Sequence, residues 1–251
     1  MAEFAGKLAI VTGAAKSNGI GFATALLLAQ KGADIVLHYN SNAAAAETAV
    51  SKLQSLGVKA ISVSADAASP DFGTTIVDAT LKAFPNRKID IIINNAAAVL
   101  FASSAFDNEG FDNIFHANVR GPLLLVGAAL PHMAKPGGRV ISIGTVASRI
   151  GSRFAGLYAA TKGALNTLTF TWAEELGPMG ITANIVSPGP IGTDNVPPEE
   201  HELVKRFRSE QQIKRNGTVE EVAEVIVFIA SKGSSFVTGQ VVGVDGGFSH
   251  A

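Results

Sequence analysis

Seven short apolar runs recur along the chain, and longer segments with helical periodicity separate them. The runs cover residues 8–11, 35–37, 61–63, 89–93, 140–143, 181–186 and 241–244. Apolar runs of this length are typical of buried β-strands. Repeated strand–helix–strand units form a parallel sheet with right-handed crossovers and with helices on both faces. The sequence therefore predicts an α/β fold, a doubly wound parallel sheet of about seven strands flanked by helices.

Length and composition fit one such domain. The 251 residues suffice for a large α/β domain, and no shift of composition marks a second, so we expect a single domain over residues 1–251. The 26 glycines and a hydrophobic content of 47% suit a sheet that is covered on both faces. Twenty basic against twenty-one acidic residues give no overall field that attracts nucleic acid or an anionic membrane. The expected partner is a small molecule.

Several kinds of site and targeting segment are not expected. Cysteine is absent, which excludes disulfides, thiolate nucleophiles and cysteine-bound metals. Residues 1–13 contain two charged side chains and an apolar run of only four residues, too short for a signal sequence or a membrane span. We therefore predict a cytoplasmic protein without a metal site. The histidines lack paired spacing, and structural roles are expected for His38, His116, His132, His201 and His250.

A glycine-rich turn follows the first apolar run. In a sheet of this kind the ligand binds at the carboxyl ends of the strands, so the residues after each run converge on one crevice. Gly13 suits a tight turn, Gly19 and Gly21 let the backbone approach a pyrophosphate, and a helix N-terminus stabilises anionic oxygens. The helical segment at residues 22–30 comes next. The turn predicts a dinucleotide site with the candidate residues Gly13, Lys16, Ser17, Gly19, Ile20 and Gly21.

The next two strand ends bear on which dinucleotide binds. Where a carboxylate would hold an adenosine 2′-hydroxyl, the chain carries no acid, only His38, Tyr39, Asn40, Ser41 and Asn42. Asn40 and Ser41, together with Lys16, offer donors to a 2′-phosphate, which favours NADP(H) over NAD(H). After the third run, Asp66 with its neighbour Ala67 either accepts from the adenine amino group or caps a turn or helix.

Tyr158 and Lys162 stand four residues apart in a segment with helical character. One helical turn separates them, so both side chains project from the same face and the ammonium lies near the phenol. An unperturbed tyrosine has a pKa of about 10, and a nearby cation favours the phenolate. The spacing by itself fits either a surface pair, which many helices contain, or a tyrosine with a lowered pKa and a role in proton transfer.

Further motifs follow the apolar runs in a fixed order. They are Asn94-Asn95-Ala96-Ala97 after the fourth run, Asn118-Val119-Arg120-Gly121, Tyr158-Ala159-Ala160-Thr161-Lys162, Ser187-Pro188-Gly189 after the sixth run, and Val244-Asp245-Gly246-Gly247 after the last. In this order they resemble the short-chain dehydrogenase/reductase family, which has a Rossmann-type fold. The resemblance covers essentially the whole chain.

The resemblance implies an oxidoreductase that moves hydride between NADP(H) and a carbonyl or alcohol. Tyr158 is then the general acid/base, Lys162 lowers its pKa and holds the nicotinamide ribose, and Asn118 anchors a water in a proton relay. Thr145 stands thirteen residues before the tyrosine, where the family usually has serine, and Ser148 is the alternative hydroxyl. The other cofactor residues implied are Asn95, Ala96, Ala97, Pro188, Gly189, Ile191 and Thr193.

The chain departs from the family pattern at three places. The methyl group of Thr145 restricts its rotamers and narrows the site. Five residues separate Gly13 from Gly19, where the family usually has three. Ala97 replaces a customary glycine, which the backbone tolerates only if φ stays negative.

The same residues indicate which of several related activities the chain favours. Halohydrin dehalogenases resemble this fold but replace the lysine by arginine and lose the dinucleotide turn, whereas Lys162 and the turn are both present here. Enoyl reductases of the divergent branch space the tyrosine and lysine more widely, so the spacing favours ketone or alcohol chemistry. Two alternatives remain, an NAD-linked alcohol dehydrogenase and a regulatory protein that binds the cofactor with weak catalysis.

A polar segment at residues 194–218 follows the expected nicotinamide loop and is predicted to be a substrate lid, with a solvated helix face as the alternative interpretation of its mixed charges. Val99, Val146, Leu157 and Pro190 are expected to line the substrate pocket, which suggests a small, uncharged and partly apolar compound. The resemblance also implies a homo-oligomer, a tetramer or a dimer, and the apolar stretches 122–130 and 165–172 are candidate interfaces.

Overall fold

A computed structural model of the protein describes residues 2–100, 110–153, 155–193 and 202–248. Seven parallel strands form one sheet in the order β3-β2-β1-β4-β5-β6-β7. The strands are β1 Leu8–Val11, β2 Asp34–Tyr39, β3 Ala60–Ser64, β4 Ile91–Asn94, β5 Arg139–Ile143, β6 Thr182–Pro188 and β7 Val241–Val244. The predicted doubly wound α/β fold is confirmed.

Helices cover both faces of this sheet. They are α1 Ile20–Gln30, α2 Ala43–Gln54, α3 Phe72–Ala83, α4 Phe111–Phe115, α5 Gly121–Ala129, α6 Ala147–Ile150, α7 Gly156–Leu176, α8 Glu202–Glu210 and α9 Val219–Ala230. A π-helical turn, His116–Arg120, joins α4 to α5. Capping residues fix the N-termini of two helices. The Asn42 side chain accepts from the Ala45 amide at the start of α2, and Thr218 forms a capping box with Glu221 at the start of α9.

Alternate residues of the strands enter two hydrophobic cores. Ala9 and Val11 of β1 pack with α1 and α9, whereas Leu8 and Ile10 pack with α3, α5 and α7. Successive side chains of a strand point to opposite faces, so a strand between two layers of helices must be apolar throughout. This explains why the strands were visible as continuous apolar runs.

Strand limits differ from the prediction by at most two residues, and the fourth strand shows why. The apolar run begins at Ile89, but β4 begins at Ile91. Ile89 makes an isolated bridge with Met133. The Asp90 carboxylate accepts hydrogen bonds from the Leu8 amide at 2.9 Å and from Lys7 Nζ at 2.8 Å. The Asp90 carboxylate is therefore hydrogen-bonded to Leu8 of β1, at a position that the prediction included in the fourth strand.

The strand order reverses at β1, which pairs with β2 on one side and β4 on the other. In open α/β sheets this reversal opens a crevice at the carboxyl ends of the strands. The predicted lid overlaps α8, while residues 194–201 of that segment lie outside the described residues. Across the described ranges, the helices contain no stretch long and apolar enough to span a bilayer.

Candidate active site

A crevice of about 660 Å³ lies at the carboxyl ends of the strands. This volume is in the usual range for cofactor and small-molecule sites. The predicted residues that line it are Gly13, Lys16, Gly19, Ile20, Gly21, Asn40, Ser41, Asp66, Ala67, Asn95, Ala96, Ala97, Thr145, Tyr158, Lys162, Pro188, Gly189, Ile191 and Thr193. Ser17 and Asn118 do not line it.

The glycine-rich turn is tied to the end of β4. Thr12 Oγ1 accepts from the amides of Asn95 and Ala96, both at 2.9 Å. The Asn95 side-chain amide donates to the carbonyls of Thr12 and Gly13 at 2.8 and 3.0 Å. Gly13 has a φ of +64°, and a Cβ there would lie 2.8 Å from the Ala96 Cα. The ends of β1 and β4 are thus hydrogen-bonded to each other at the crevice, and Thr12 takes part in these bonds although it was not among the predicted site residues.

The same turn presents the start of α1 to the crevice. Gly19 is the N-cap of α1 and, as a glycine, has no side chain that could accept from the first amides of the helix. The first turn contains no acidic residue. A Cβ on Gly21 would lie 2.5 Å from Asn95 Nδ2 and 2.7 Å from the Gly13 carbonyl oxygen, so glycine lets α1 begin directly against the turn. First-turn amides of a helix lack intrahelical acceptors and carry the positive end of the helix dipole. This end of the crevice is suited to a phosphate group.

His38 also lines the crevice, at the end of β2, and is only 2% exposed. Its Nδ1 accepts from the Gly13 amide at 3.1 Å, and its Nε2 donates to the Ala65 carbonyl at 2.9 Å. Burial is the main effect on its pKa and lowers it. A structural role without a named partner was predicted for this histidine, and its position at a strand end was the available signal.

The β2 and β3 ends form the far side of the crevice. Tyr39, Asn40 and Ser41 line it, and β2 ends without a carboxylate there. Asp66 lines it as well, while its Oδ1 accepts from the Ala68 amide at 2.9 Å. The turn-capping alternative for Asp66 is therefore present in the structure, and its carboxylate still borders the crevice.

Tyr158 and Lys162 lie in α7 and both reach the crevice. Lys162 is 1% exposed, its Nζ donates to the Ile143 carbonyl at 2.7 Å, and it lies 5.8 Å from the centroid of the Tyr158 ring. Burial raises the pKa of Tyr158 to about 12 and lowers the pKa of Lys162 to about 8. The predicted lowering of the tyrosine pKa is thus wrong for the protein by itself, because burial disfavours the charged phenolate.

The two candidate hydroxyls near α6 differ in where they lie. Thr145 lines the crevice, and its Oγ1 also accepts from the Ala147 amide at 3.3 Å. Ser148 is not part of the lining: its hydroxyl donates to the Thr145 carbonyl at 2.7 Å and accepts from the Asn166 side chain at 3.1 Å. Of the two, only Thr145 offers a hydroxyl to a bound molecule.

Asn118 is fully buried in the π-helical turn. Its Oδ1 accepts from the Ala98 amide at 2.7 Å, and its Nδ2 donates to the Ala98 carbonyl at 2.9 Å and to Thr161 Oγ1 at 3.0 Å. Both donor hydrogens of the side-chain amide have partners. The side chain therefore connects the loop after β4 to α7. It does not line the crevice.

Comparison with known proteins fits this geometry. A family model described as enoyl-(acyl carrier protein) reductase matches residues 13–249. Short-chain dehydrogenase/reductase FrzI from Cladobotryum sp. is 36% identical over 250 residues, which cover 96% of this chain and 95% of that protein. The chain belongs to the short-chain dehydrogenase/reductase family. It is an oxidoreductase of that family.

Two further similarities concern the cofactor. The NADPH-dependent aldehyde reductase-like protein, chloroplastic, of Arabidopsis thaliana is 35% identical over 263 residues, with 97% of this chain and 94% of that protein covered. The crystal structure of a short chain dehydrogenase from Burkholderia cenocepacia J2315 in complex with NADP has a TM-score of 0.91 and 34% identity. It covers 98% of this chain and 99% of its own.

This short-chain dehydrogenase/reductase accommodates its departures from the family pattern locally. Among the described residues Asn86 is the sole non-glycine residue with a positive φ, so Ala97 has a backbone open to any L-residue. In the longer turn a Cβ on Gly19 would lie 3.1 Å from the Lys16 carbonyl oxygen, so the extra residues fold back against Gly19. Val99, Val146 and Pro190 line the crevice as predicted, and Leu157 does not.

Proposed function

We propose that this protein is an NADPH-dependent carbonyl reductase, reversible as an alcohol dehydrogenase, with a small uncharged carbonyl compound as substrate. The observation that carries the proposal is that Thr145, Tyr158 and Lys162 line the same crevice as the glycine-rich turn. A hydroxyl, a phenol and an ammonium beside a dinucleotide site are what proton transfer to a carbonyl oxygen requires.

The residues present fit NADP(H). The glycine cap of α1, without an acidic first turn, suits the pyrophosphate. Lys16, Asn40 and Ser41 line the crevice, and β2 ends there without the carboxylate that would repel a 2′-phosphate. Asp66 and Ala67 border the adenine end in this proposal, and Pro188, Gly189, Ile191 and Thr193 the nicotinamide end. The relatives whose names or structures include NADP(H) support the choice over NAD(H).

The catalytic roles follow from charge and position. When bound, NADPH supplies the hydride that adds to the carbonyl carbon. Tyr158 donates its proton to the carbonyl oxygen, and its raised pKa keeps the phenol protonated at neutral pH. Thr145 donates a hydrogen bond to the same oxygen. Lys162 is fixed by the Ile143 carbonyl and offers its remaining hydrogens to the nicotinamide ribose and its positive charge to the developing phenolate.

Asn118 acts in this proposal by holding other residues. Its side chain links Ala98 to Thr161, and the Thr161 hydroxyl also donates to the Tyr158 carbonyl at 2.7 Å. The loop after β4 is thereby fixed to the turn of α7 that carries the tyrosine. The water relay expected from the resemblance does not need the Asn118 side-chain hydrogens, which have partners already.

The substrate end of the proposed site is apolar. Val99, Val146 and Pro190 line it, which favours an uncharged compound.

We include in the proposal a single domain over residues 1–251 with a lid at residues 194–218. We include a homo-oligomer as well, supported by Leu123 of α5 and Phe170 of α7, which are 44% and 42% exposed. Light scattering of the purified protein tests the assembly.

Cofactor titration followed by a substrate panel tests the function. NADPH and NADH are titrated separately while cofactor fluorescence is recorded, and aromatic, polycyclic and aliphatic ketones are then added while absorbance at 340 nm is followed. We expect tighter binding of NADPH and turnover with ketones. Failure to bind either nucleotide contradicts the proposal, and equal or tighter binding of NADH replaces it by the NAD-linked alternative.

The description of the matching family model makes alkene reduction a second candidate. Crotonyl-pantetheine, an enoyl thioester, therefore belongs in the same panel, beside acetoacetyl-pantetheine, its keto counterpart. The four-residue spacing of Tyr158 and Lys162 favours turnover of the keto compound. Turnover of the enoyl compound alone contradicts the carbonyl assignment, and nucleotide binding without turnover of any compound favours the regulatory alternative.

A further inference from the structure

His38 connects three strand ends at the cofactor side of the crevice. Its Nδ1 accepts from the Gly13 amide at 3.1 Å, and its own carbonyl accepts from the Ala14 amide at 3.0 Å. Its Nε2 donates to the Ala65 carbonyl at 2.9 Å, directly before Asp66. Two consecutive amides of the glycine-rich turn are therefore held by one residue of β2, and the same side chain reaches the end of β3.

The hydrogen-bond pattern defines the state of the imidazole. An amide N–H donates to Nδ1, so this nitrogen carries no proton, and a carbonyl faces Nε2, so that nitrogen does. The ring is neutral. Burial lowers its pKa, while the Ala65 carbonyl and the Asp66 carboxylate raise it to a smaller extent. Phe72, at the start of α3, packs edge-on against the imidazole with centroids 5.0 Å apart, which fixes the ring plane.

The turn needs such a restraint. Gly13 has a φ of +64°, a conformation that glycine enters easily and also leaves easily. The amides at the α1 start bind phosphate well only if the turn before them is already fixed, because ordering it on binding lowers the affinity. The Gly13 amide points inward at His38, which leaves the amides at the start of α1 as the phosphate donors.

We propose that His38 is a positioning residue for cofactor binding, and that its Nδ1 acts by holding the Gly13 amide so that the glycine-rich turn is preorganised for the dinucleotide. This inference rests on the proposed function, because it concerns the same cofactor. It assigns the effect to one of the two side-chain hydrogen bonds, the bond to Gly13, and not to the bond to Ala65.

Two conservative variants separate these bonds. In His38→Asn the Oδ1 atom takes the place of Nδ1 and keeps an acceptor for the Gly13 amide, while the donor to Ala65 is lost. In His38→Gln the Nε2 atom takes the place of the imidazole Nε2 and keeps the donor to Ala65, while the acceptor for Gly13 is lost. Each variant removes one hydrogen bond, so a merely structural role lowers the stability of both and affects cofactor binding equally.

NADPH affinity, measured by cofactor fluorescence on the full chain, is the first readout. We expect the Kd of His38→Gln to rise about tenfold, because binding must then order a turn that the hydrogen bond to the Gly13 amide already orders in the wild type. The Kd of His38→Asn is expected to stay within about threefold of the wild type, and kcat at saturating NADPH to change little in either variant. Equal weakening in both variants, or wild-type affinity in His38→Gln, overturns the proposal.

Hydrogen exchange of the peptide that contains Gly13 gives a second readout that needs no nucleotide. The Gly13 amide is expected to exchange faster in His38→Gln and to stay protected in His38→Asn. Equal exchange in both variants and in the wild type overturns the inference. If the wild-type protein binds no nucleotide but shows this exchange pattern, the turn restraint stands and the proposed function fails, so the two failures are distinguishable.

Discussion

Lys162 and Tyr158 lie one helical turn apart in α7, with Nζ of the lysine 5.8 Å from the centroid of the tyrosine ring. The lysine is held in place by its hydrogen bond to the Ile143 carbonyl. Burial disfavours the charged form of each group, so it raises the pKa of the Tyr158 phenol and lowers the pKa of the Lys162 ammonium. In the protein alone the Tyr158 phenol therefore keeps its proton well above neutral pH.

The ionisation of Tyr158 can be observed directly, because the chain contains only one other tyrosine, Tyr39. In Tyr39→Phe, absorbance at 295 nm reports Tyr158 alone. With a pKa of about 12, only about a few per cent of the phenol ionises at pH 10.5 in the native protein, whereas more than half ionises in guanidinium chloride. Oxidised cofactor, whose nicotinamide is cationic, is expected to lower the native pKa. A native midpoint at or below 10 without cofactor contradicts the desolvation argument.

Removal of the Tyr158 hydroxyl tests the proton donor. Tyr158→Phe keeps the ring and loses the proton, so we expect kcat for ketone reduction to fall about 10²- to 10⁴-fold. The Kd for NADPH is expected to change by less than about threefold. Stopped-flow absorbance and cofactor fluorescence measure the two quantities. Retention of a tenth or more of the wild-type kcat would show that another group protonates the product.

Two variants of Thr145 separate its hydroxyl from its methyl group. Thr145→Val keeps the shape and removes the hydroxyl, and we expect kcat/KM to fall about 10²-fold, the usual effect of losing one donor to a developing oxyanion. Thr145→Ser keeps the hydroxyl and should stay within about threefold. Ser148→Ala serves as the comparison, because Ser148 does not line the crevice. A larger loss in Ser148→Ala than in Thr145→Val would transfer the role to the serine.

The packing of α1 against the turn is expected to depend on Gly21. Its added Cβ would lie 2.5 Å from Asn95 Nδ2 and 2.7 Å from the Gly13 carbonyl oxygen, so Gly21→Ala should lower the free energy of unfolding by about 1–3 kcal/mol. Gly127→Ala is the matched control. Gly127 lies in α5 with open space around it, and alanine there should raise the stability by about 0.5–1 kcal/mol.

Urea unfolding at one protein concentration measures both glycine variants, since assembly makes apparent stability depend on concentration. Equal stability of Gly21→Ala and the wild type would show that the turn yields to the methyl group at no cost.

The positions of the strands along the chain and the list of crevice residues came from local information, whereas the order β3-β2-β1-β4-β5-β6-β7 within the sheet did not. A strand covered on both faces has to be continuously apolar, as β1 and β6 are, and the residues behind such strands must meet at one edge of a parallel sheet. For this reason Gly13 was placed in the crevice without knowledge of any contact, and the family resemblance added Asn95 and Thr145. The same reasoning did not predict the role of Asp90. Its carboxylate accepts a hydrogen bond from the Leu8 amide, which is 82 positions away in the chain.

The sequence by itself determined the fold class, the family and the strand ends that form the crevice, because these follow from periodicity and motif order. The tertiary structure decided which side chains turn into the crevice. Ser148 and Asn118 are bonded elsewhere, and His38 holds Gly13 from a neighbouring strand. It also reversed the expected pKa shift of Tyr158, because the loss of solvent around a phenol depends on elements far apart in the chain, whereas its spacing from a lysine does not.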